Sequence, residues 1–231
     1  MENPVIKFYF HETANSMKVA LFLEEAQVPY ELAPVDLLKG EQHRPEYRAI
    51  NPNSKVPAIV DDDGTVVFDS AAILLSLADK TNRFMGAPKD RPTLLSWLMF
   101  IATGLSPFSG QAFHFSRVHT DSAYATNRYR REVERHYDVL DARLGQTPYI
   151  AGESYTIVDM AAWGWIDRAG TTLQKDAPLD AWPHLKRWFE AVNNRPAAAR
   201  ARKIGTGIKF KSEFDEETLR ALFPQNFPKA G

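Results

Sequence analysis

The sequence predicts an α/β N-terminal domain over residues 1–86, an all-α helical bundle over residues 90–205 and a C-terminal extension over residues 206–231. Three observations predict this division. Apolar runs of strand length are confined to the early chain, at Val5 to Phe10, Tyr30 to Val35, Ala58 to Val60 and Thr65 to Phe68. A polar break follows at Lys80 to Pro88. Beyond it only long helical patterns remain, from about Arg91 to Arg117, Tyr124 to Leu144, Ile157 to Thr172 and Ala181 to Asn194, with Pro and Gly between them.

Composition narrows the functional classes. The chain has 231 residues, 44% of them hydrophobic and 12% aromatic, enough to bury real cores. A formal charge of −1 carries no electrostatic footprint for nucleic acid or an anionic membrane surface. No apolar run approaches the length of a membrane span, and Met1-Glu2-Asn3-Pro4 lacks the basic and apolar regions of a secretory signal, so a cytoplasmic location is expected. There are no cysteines, which excludes a disulfide framework, a thiolate metal site and a protein thiol nucleophile. Any thiol chemistry must come from a ligand.

In chain order, the Val5–Phe10 run is the first strand and His11 to Asn15 a polar break. Met17 to Ala26 reads as a helix apolar on most sides, through Val19, Ala20, Leu21, Phe22 and Leu23, and so packed against a sheet. Tyr30 to Val35 completes a βαβ unit. The polar stretch from Asp36 to Asn53 is long for a connection and holds a short helix around Pro45 to Ala49 or a functional loop. Val56-Pro57 opens the strand Ala58–Val60, because proline lacks an N–H and is tolerated at a strand's first residue. Asp61-Asp62-Asp63-Gly64 supplies a hairpin turn into Thr65–Phe68. Asp69 or Ser70 then caps a helix from Ala71 to Asp79, whose N-terminus offers spare N–H groups to an anion. In the helical half, Thr156 and Asp159 form a capping box, flanked by Tyr155 and Met160 at staple positions; this is folding information rather than chemistry. The extension ends with a short helix from Asp215 to Phe223.

Several motifs carry a family resemblance: Thr13-x-Asn15 before the first helix, Phe22-Leu23-Glu24-Glu25, Lys39-Gly40-x-Gln42-x-Arg44-Pro45-Glu46, Asn51-Pro52-Asn53-x-Lys55-Val56-Pro57-Ala58-Ile59-Val60, Asp69-Ser70 and Gly110-Gln111-x-x-His114-Phe115. Spread over about residues 5 to 200, they resemble the glutathione transferases, specifically the bacterial Nu-class and Ure2-like branch, which acts in disulfide-bond oxidoreduction. The family pattern has Glu where this chain has Asp69, and Pro and Gly where it has Ala14 and Ser16.

The resemblance implies the glutathione transferase fold: a thioredoxin-like first domain with a cis-proline at Pro57, and an all-helical second domain. It implies glutathione as cosubstrate, one or two molecules per subunit, with no metal. Thr13 and Asn15 are the implied catalytic residues, stabilising the glutathione thiolate, since thiols ionise more readily near donors and helix N-termini. Val56 and Pro57 are expected at the cysteinyl unit, Asp69 and Ser70 at the γ-glutamyl end, and Gln42 and Lys55 at the glycyl end. Arg128 is a candidate for a glutathione carboxylate, though Arg128, Arg131 and Arg135 also read as a solvated face. Ser16, Gln111 and His114 are possible supporting residues. Ser16 reads equally as a cap, and His114 as a packed helix residue, no second His standing at metal-ligand spacing. Tyr9 reads as core. The expected partners are glutathione with a small disulfide or an electrophile, plus a second copy of the chain in a homodimer. Three functions stay open: glutathione-dependent disulfide reduction, conventional conjugation to electrophiles, and non-enzymatic glutathione binding.

Overall fold

Strand β1 (Ile6–Phe10) buries Ile6, Phe8 and Phe10 and turns Lys7 outward, the period-2 pattern of a strand with one face on a core. In the computed structural model, which describes residues 5–227, β1 is central in a four-stranded sheet of order β2-β1-β3-β4. It pairs parallel with β2 (Tyr30–Pro34), Phe8 opposite Leu32, and antiparallel with β3 (Ala58–Val60), Phe8 opposite Ile59. The edge strand β4 (Val66–Phe68) returns antiparallel through the Asp61–Gly64 turn. Lys80 crosses to that turn and pairs with Asp61 at 2.6 Å and Asp62 at 2.5 Å.

Helix α1 (Ala14–Ala26) supplies the parallel crossover, and its run Val19–Leu23 is almost fully buried, as its all-round apolarity requires. It begins three residues before the expected Met17, because Thr13 rather than a later residue provides the N-cap. The short helix α2 (Pro45–Arg48) lies in the long connection, and α3 (Ser70–Thr81) follows β4. The peptide between Val56 and Pro57 is cis.

From Pro88 onward the named elements of the described residues are all helices. Helices α4 (Arg91–Phe100) and α5 (Ser106–Arg117) are joined through one π turn at Ile101–Leu105, where Gly104 lets the His136 ring approach the backbone, a space a Cβ would fill. This helix corrects one expectation: from Pro88 to Arg117 it is long and apolar enough, by length and composition, to cross a membrane. Here Leu94, Leu98, Ile101 and Leu105 pack it into the core of the helical layer. Helix α6 (Ala123–Leu144) packs on α5. The expected helix from Ile157 to Thr172 is split into α7 (Ile157–Ile166) and α8 (Ala169–Leu173). The side chains at the break are drawn elsewhere, Asp167 to Arg202 and Arg168 to Glu12. Helices α9 (Pro183–Asn193), α10 (Pro196–Ala201) and α11 (Glu216–Leu222) complete the chain.

The capping box of α7 is formed: the Asp159 carboxylate accepts from the Thr156 N–H at 2.8 Å, and also from Ile150 N–H and the Trp188 indole. One continuous core joins the sheet to the helices through α1, which packs on α3, α7 and α10. Arg195 and Arg200, paired with Glu25 and Glu24, pin that junction from outside. The reading of Met1 to Pro4 as leaderless, and the last residues of the extension, lie outside the described residues.

Candidate functional site

The N-terminus of α1 is the first component. Thr13 sits in extended backbone and its Oγ1 accepts from the Ser16 N–H at 3.2 Å, the usual reason for Thr at an N-cap. Its hydroxyl also faces Ser16 Oγ at 3.1 Å. Ser16 is fully buried beneath it. Asn15, one residue into the helix, accepts the Trp165 indole N–H at 3.1 Å through its side-chain oxygen. The amide nitrogen is thereby left as donor toward the cleft.

The second component is the loop before β3. Tyr47 Oη and Asn51 Nδ2 both donate to the Lys55 carbonyl, at 2.6 and 2.7 Å, which fixes the backbone entering Val56. Among the described residues the Val56 N–H and C=O have no hydrogen-bond partner, so they can serve an added extended segment.

Asp69 and Ser70 form the third. Asp69 is the N-cap of α3: its Oδ1 accepts from Ala71 N–H at 2.9 Å and Ala72 N–H at 3.4 Å. Its backbone lies at φ +72°, a conformation side-chain-bearing residues rarely adopt and one that collects at functional sites. Ser70 follows at the helix start, 8% exposed.

These parts enclose two cavities that share Asn15 and Trp165. One, about 300 Å³, is lined by Thr13, Asn15, Gln42, Lys55, Val56, Trp165, Leu222 and Phe223. The other, about 290 Å³, is lined by Asn15, Lys18, Asp69, Ser70, Ser106, Gln111 and Trp165. A third hollow, about 600 Å³, lies beyond Phe223 against His114, Phe115 and His119. His114 meets Phe223 edge-to-face at 4.8 Å, and burial holds its pKa below the ordinary imidazole value.

Two expected residues stand differently. Gln42 is buried, and its amide nitrogen donates to the Ala221 carbonyl of α11 at 3.1 Å, an acceptor that His43 shares at 3.0 Å. Arg128 is on an exposed face of α6, paired with Glu132 at 3.1 Å, and does not line these cavities. Tyr9 lies in a satellite cluster with Tyr47, Val35 and Val56 rather than in the main core. Lys18, Ser106, Trp165, Leu222 and Phe223 were not legible as site residues: each sits in an apolar or helical pattern, and only the docking of α7, the π turn and the tail aims them at the cleft.

Residues 14–80 match the family described as "Glutathione S-transferase, N-terminal domain", and residues 99–196 the "Glutathione S-transferase, C-terminal domain". The chain is 43% identical over 205 residues, 85% of its length and 94% of the other's, to the "Disulfide-bond oxidoreductase YfcG" of Escherichia coli (strain K12). Among solved structures it is similar to a glutathione transferase family member from Pseudomonas fluorescens with two glutathione bound, at 34% identity and a TM-score of 0.79, covering 86% of this chain and 92% of that one. It is also similar to a glutathione transferase from Phanerochaete chrysosporium in complex with oxidized glutathione, at 30% identity and a TM-score of 0.83, covering 90% and 99%.

Proposed function

We propose, from the premise that this chain belongs to the glutathione S-transferase family, that it is a glutathione-dependent disulfide-bond oxidoreductase of the Nu-like branch. The observation that carries this reading is the pairing of Thr13 and Asn15 at the α1 N-terminus, in a cleft of a chain that has no cysteine. The sulfur must be the ligand's.

Glutathione lies with its γ-glutamyl end at Asp69 and Ser70, its cysteinyl unit paired to the Val56 backbone beside Pro57, and its glycyl end toward Lys55. Gln42 reaches that end only if the tail gives up the bond to Ala221. The thiol loses its proton to solvent, and the thiolate rests against the Thr13 hydroxyl, the Asn15 amide and the positive end of the α1 dipole. It attacks one sulfur of a small disulfide, forming a mixed disulfide and releasing a thiolate, which is protonated. A second glutathione thiolate then attacks the glutathione sulfur of that mixed disulfide, giving oxidised glutathione and the second product thiol. The hollow beyond Phe223, against His114 and Phe115, offers room beside the first molecule. Relatives crystallised with two glutathione or with oxidized glutathione support a two-molecule site.

The same reading makes the protein a cytoplasmic homodimer. The apolar α4–α5 helix leaves Met99 and Phe113 42% and 39% exposed, surface that a second copy would cover. Sedimentation at micromolar concentration is expected to show a dimer.

Side-by-side turnover of 2-hydroxyethyl disulfide and a chlorodinitrobenzene tests the reaction class. Reduction of the disulfide is expected to dominate; efficient conjugation with the disulfide left untouched would give the conventional transferase reading instead.

A further inference from the structure

Lys18 stands in the apolar stretch of α1 and is 2% exposed. An ammonium in that position is costly unless it finds partners. Nζ donates to Ser106 Oγ at 2.8 Å, across the junction between α1 and the residue that follows the π turn. An ammonium carries three donors, and among the described residues the other two have no acceptor. The path of the side chain is built into the fold. A Cβ on Gly164 of α7 would lie 2.7 Å from Lys18 Cγ and would also strike the Ala14 carbonyl. Lys18 lines the same 290 Å³ cavity as Asp69 and Ser70, and the Asp69 carboxylate, whose Oδ1 caps α3, is near enough to act on the Lys18 amine. One wall of that cavity therefore presents a cation with free donors and another an anion, the complement of a zwitterionic α-amino acid head.

We propose that Lys18 is a ligand-binding residue of this site, its ammonium receiving the α-carboxylate of the γ-glutamyl arm while Asp69 receives the α-ammonium. The inference rests on the glutathione reading and deepens it, since it makes the free α-carboxylate a determinant of which ligands are accepted. Without ligand, burial brings the Lys18 amine down to about 7, with the Asp69 carboxylate opposing the shift. An incoming carboxylate favours the charged amine. Around Lys18, α3 presents Asp69, α5 presents Ser106 and Gln111, and α7 presents Gly164 and Trp165. Arg195 and Arg200, near α10, are paired with Glu25 and Glu24, and Asp159 and Asp167 of α7 with Thr156 and Arg202. Burial raises the Asp159 carboxyl to about 6, but it lies in the α7 capping box and not in the cavity lining; Lys18 is the lining group brought to about 7.

The test uses S-methylglutathione, which has no titrating thiol, and its γ-aminobutyryl analogue, which lacks only the α-carboxylate. Binding of each to the full-length protein is measured by calorimetry. The wild type is expected to prefer S-methylglutathione by about tenfold or more, the value of a charge-assisted bond in a dry site. In Lys18→Met that preference is expected to fall about fivefold or more, what remains being the Ser70 contribution, with the analogue's affinity unchanged. A folded Lys18→Met protein that keeps the preference overturns the inference. If the variant does not fold, the wild type decides: its preference is expected to decline from pH 6 to pH 8 as the ammonium is lost, and a constant preference overturns the proposal. Binding of both ligands with no preference defeats the Lys18 assignment, and the Ser70 contact to the same carboxylate with it, while leaving glutathione binding itself standing. Absence of saturable binding by glutathione itself would defeat the glutathione reading and the assignment with it.

Discussion

The Trp165 indole N–H donates to the Asn15 side-chain oxygen at 3.1 Å, joining residues 150 positions apart across the cleft. Indole has a donor and no acceptor, so it fixes which way the amide points and leaves the Asn15 NH₂ as the group that can meet an anionic sulfur. Trp165→Phe keeps the ring area and removes the donor. The rate of 2-hydroxyethyl disulfide reduction near neutral pH is expected to fall about 2- to 10-fold, the worth of one hydrogen bond. An unchanged pH–rate profile would show that the Asn15 orientation is immaterial.

Thr13→Ala and Asn15→Ala are each expected to raise the pH at which the rate climbs and to lower the rate at neutrality. Their combined effect should be less than additive, because both act on one sulfur. Thr13→Ala also removes an N-cap worth about 1 kcal/mol of stability. Thr13→Ser keeps both the capping oxygen and the hydroxyl donor, so it should restore both the melting temperature and the pH profile. A double variant that reduces the disulfide at the wild-type rate would remove both residues from the mechanism.

Ser70→Ala is expected to weaken glutathione binding by roughly 1 to 3 kcal/mol, because a carboxylate would lose a charge-assisted donor. Titration calorimetry checks it, and an unaltered affinity would place the γ-glutamyl end elsewhere.

The tail is held over the cleft by Gln42 and His43 on the Ala221 carbonyl, by the Lys211 N–H on Asp36 at 2.8 Å and by Phe223 on His114. Gln42→Ala is expected to speed tryptic cleavage at Lys211 and Arg220 several-fold while the remaining helices stay protected. Equal cleavage rates would mean that the tail is held by its other contacts alone.

Lys18 also predicts a stability profile. Its amine titrates at about 7 in the fold against 10.5 in the unfolded chain, so between those values the unfolded state binds more protons. The cost of burying Lys18 is present in full below pH 7 and is relieved as pH rises. Relative to Lys18→Met, unliganded wild type should gain stability from pH 7 to pH 9.5, with a slope approaching roughly 1.4 kcal/mol per pH unit. Denaturant unfolding of both proteins at the two pH values measures this, and parallel profiles would refute it.

The sequence by itself determined the elements and much of the cleft. Period-2 burial at Ile6, Phe8 and Phe10, the all-round apolar α1, the Thr156–Asp159 box and the Thr13, Val56-Pro57 and Asp69-Ser70 signals are local. Each depends on residues within a turn or a strand, and the structure shows these elements, with α1 starting three residues and α3 one residue earlier than expected. Tertiary structure alone decided which buried residues meet a ligand. Trp163 and Trp165 look alike in the sequence of α7, yet the first is fully buried in the core and the second lines the cleft, because the packing of α7 on α1 sets its rotation. Lys18 looked like one polar residue in an apolar helix until Gly164, the π turn and Asp69 surrounded it. The tail's hold on Gln42 spans 179 positions. Such contacts have no sequence period, since they arise where separate elements dock and burial and charge are settled by neighbours distant in the chain.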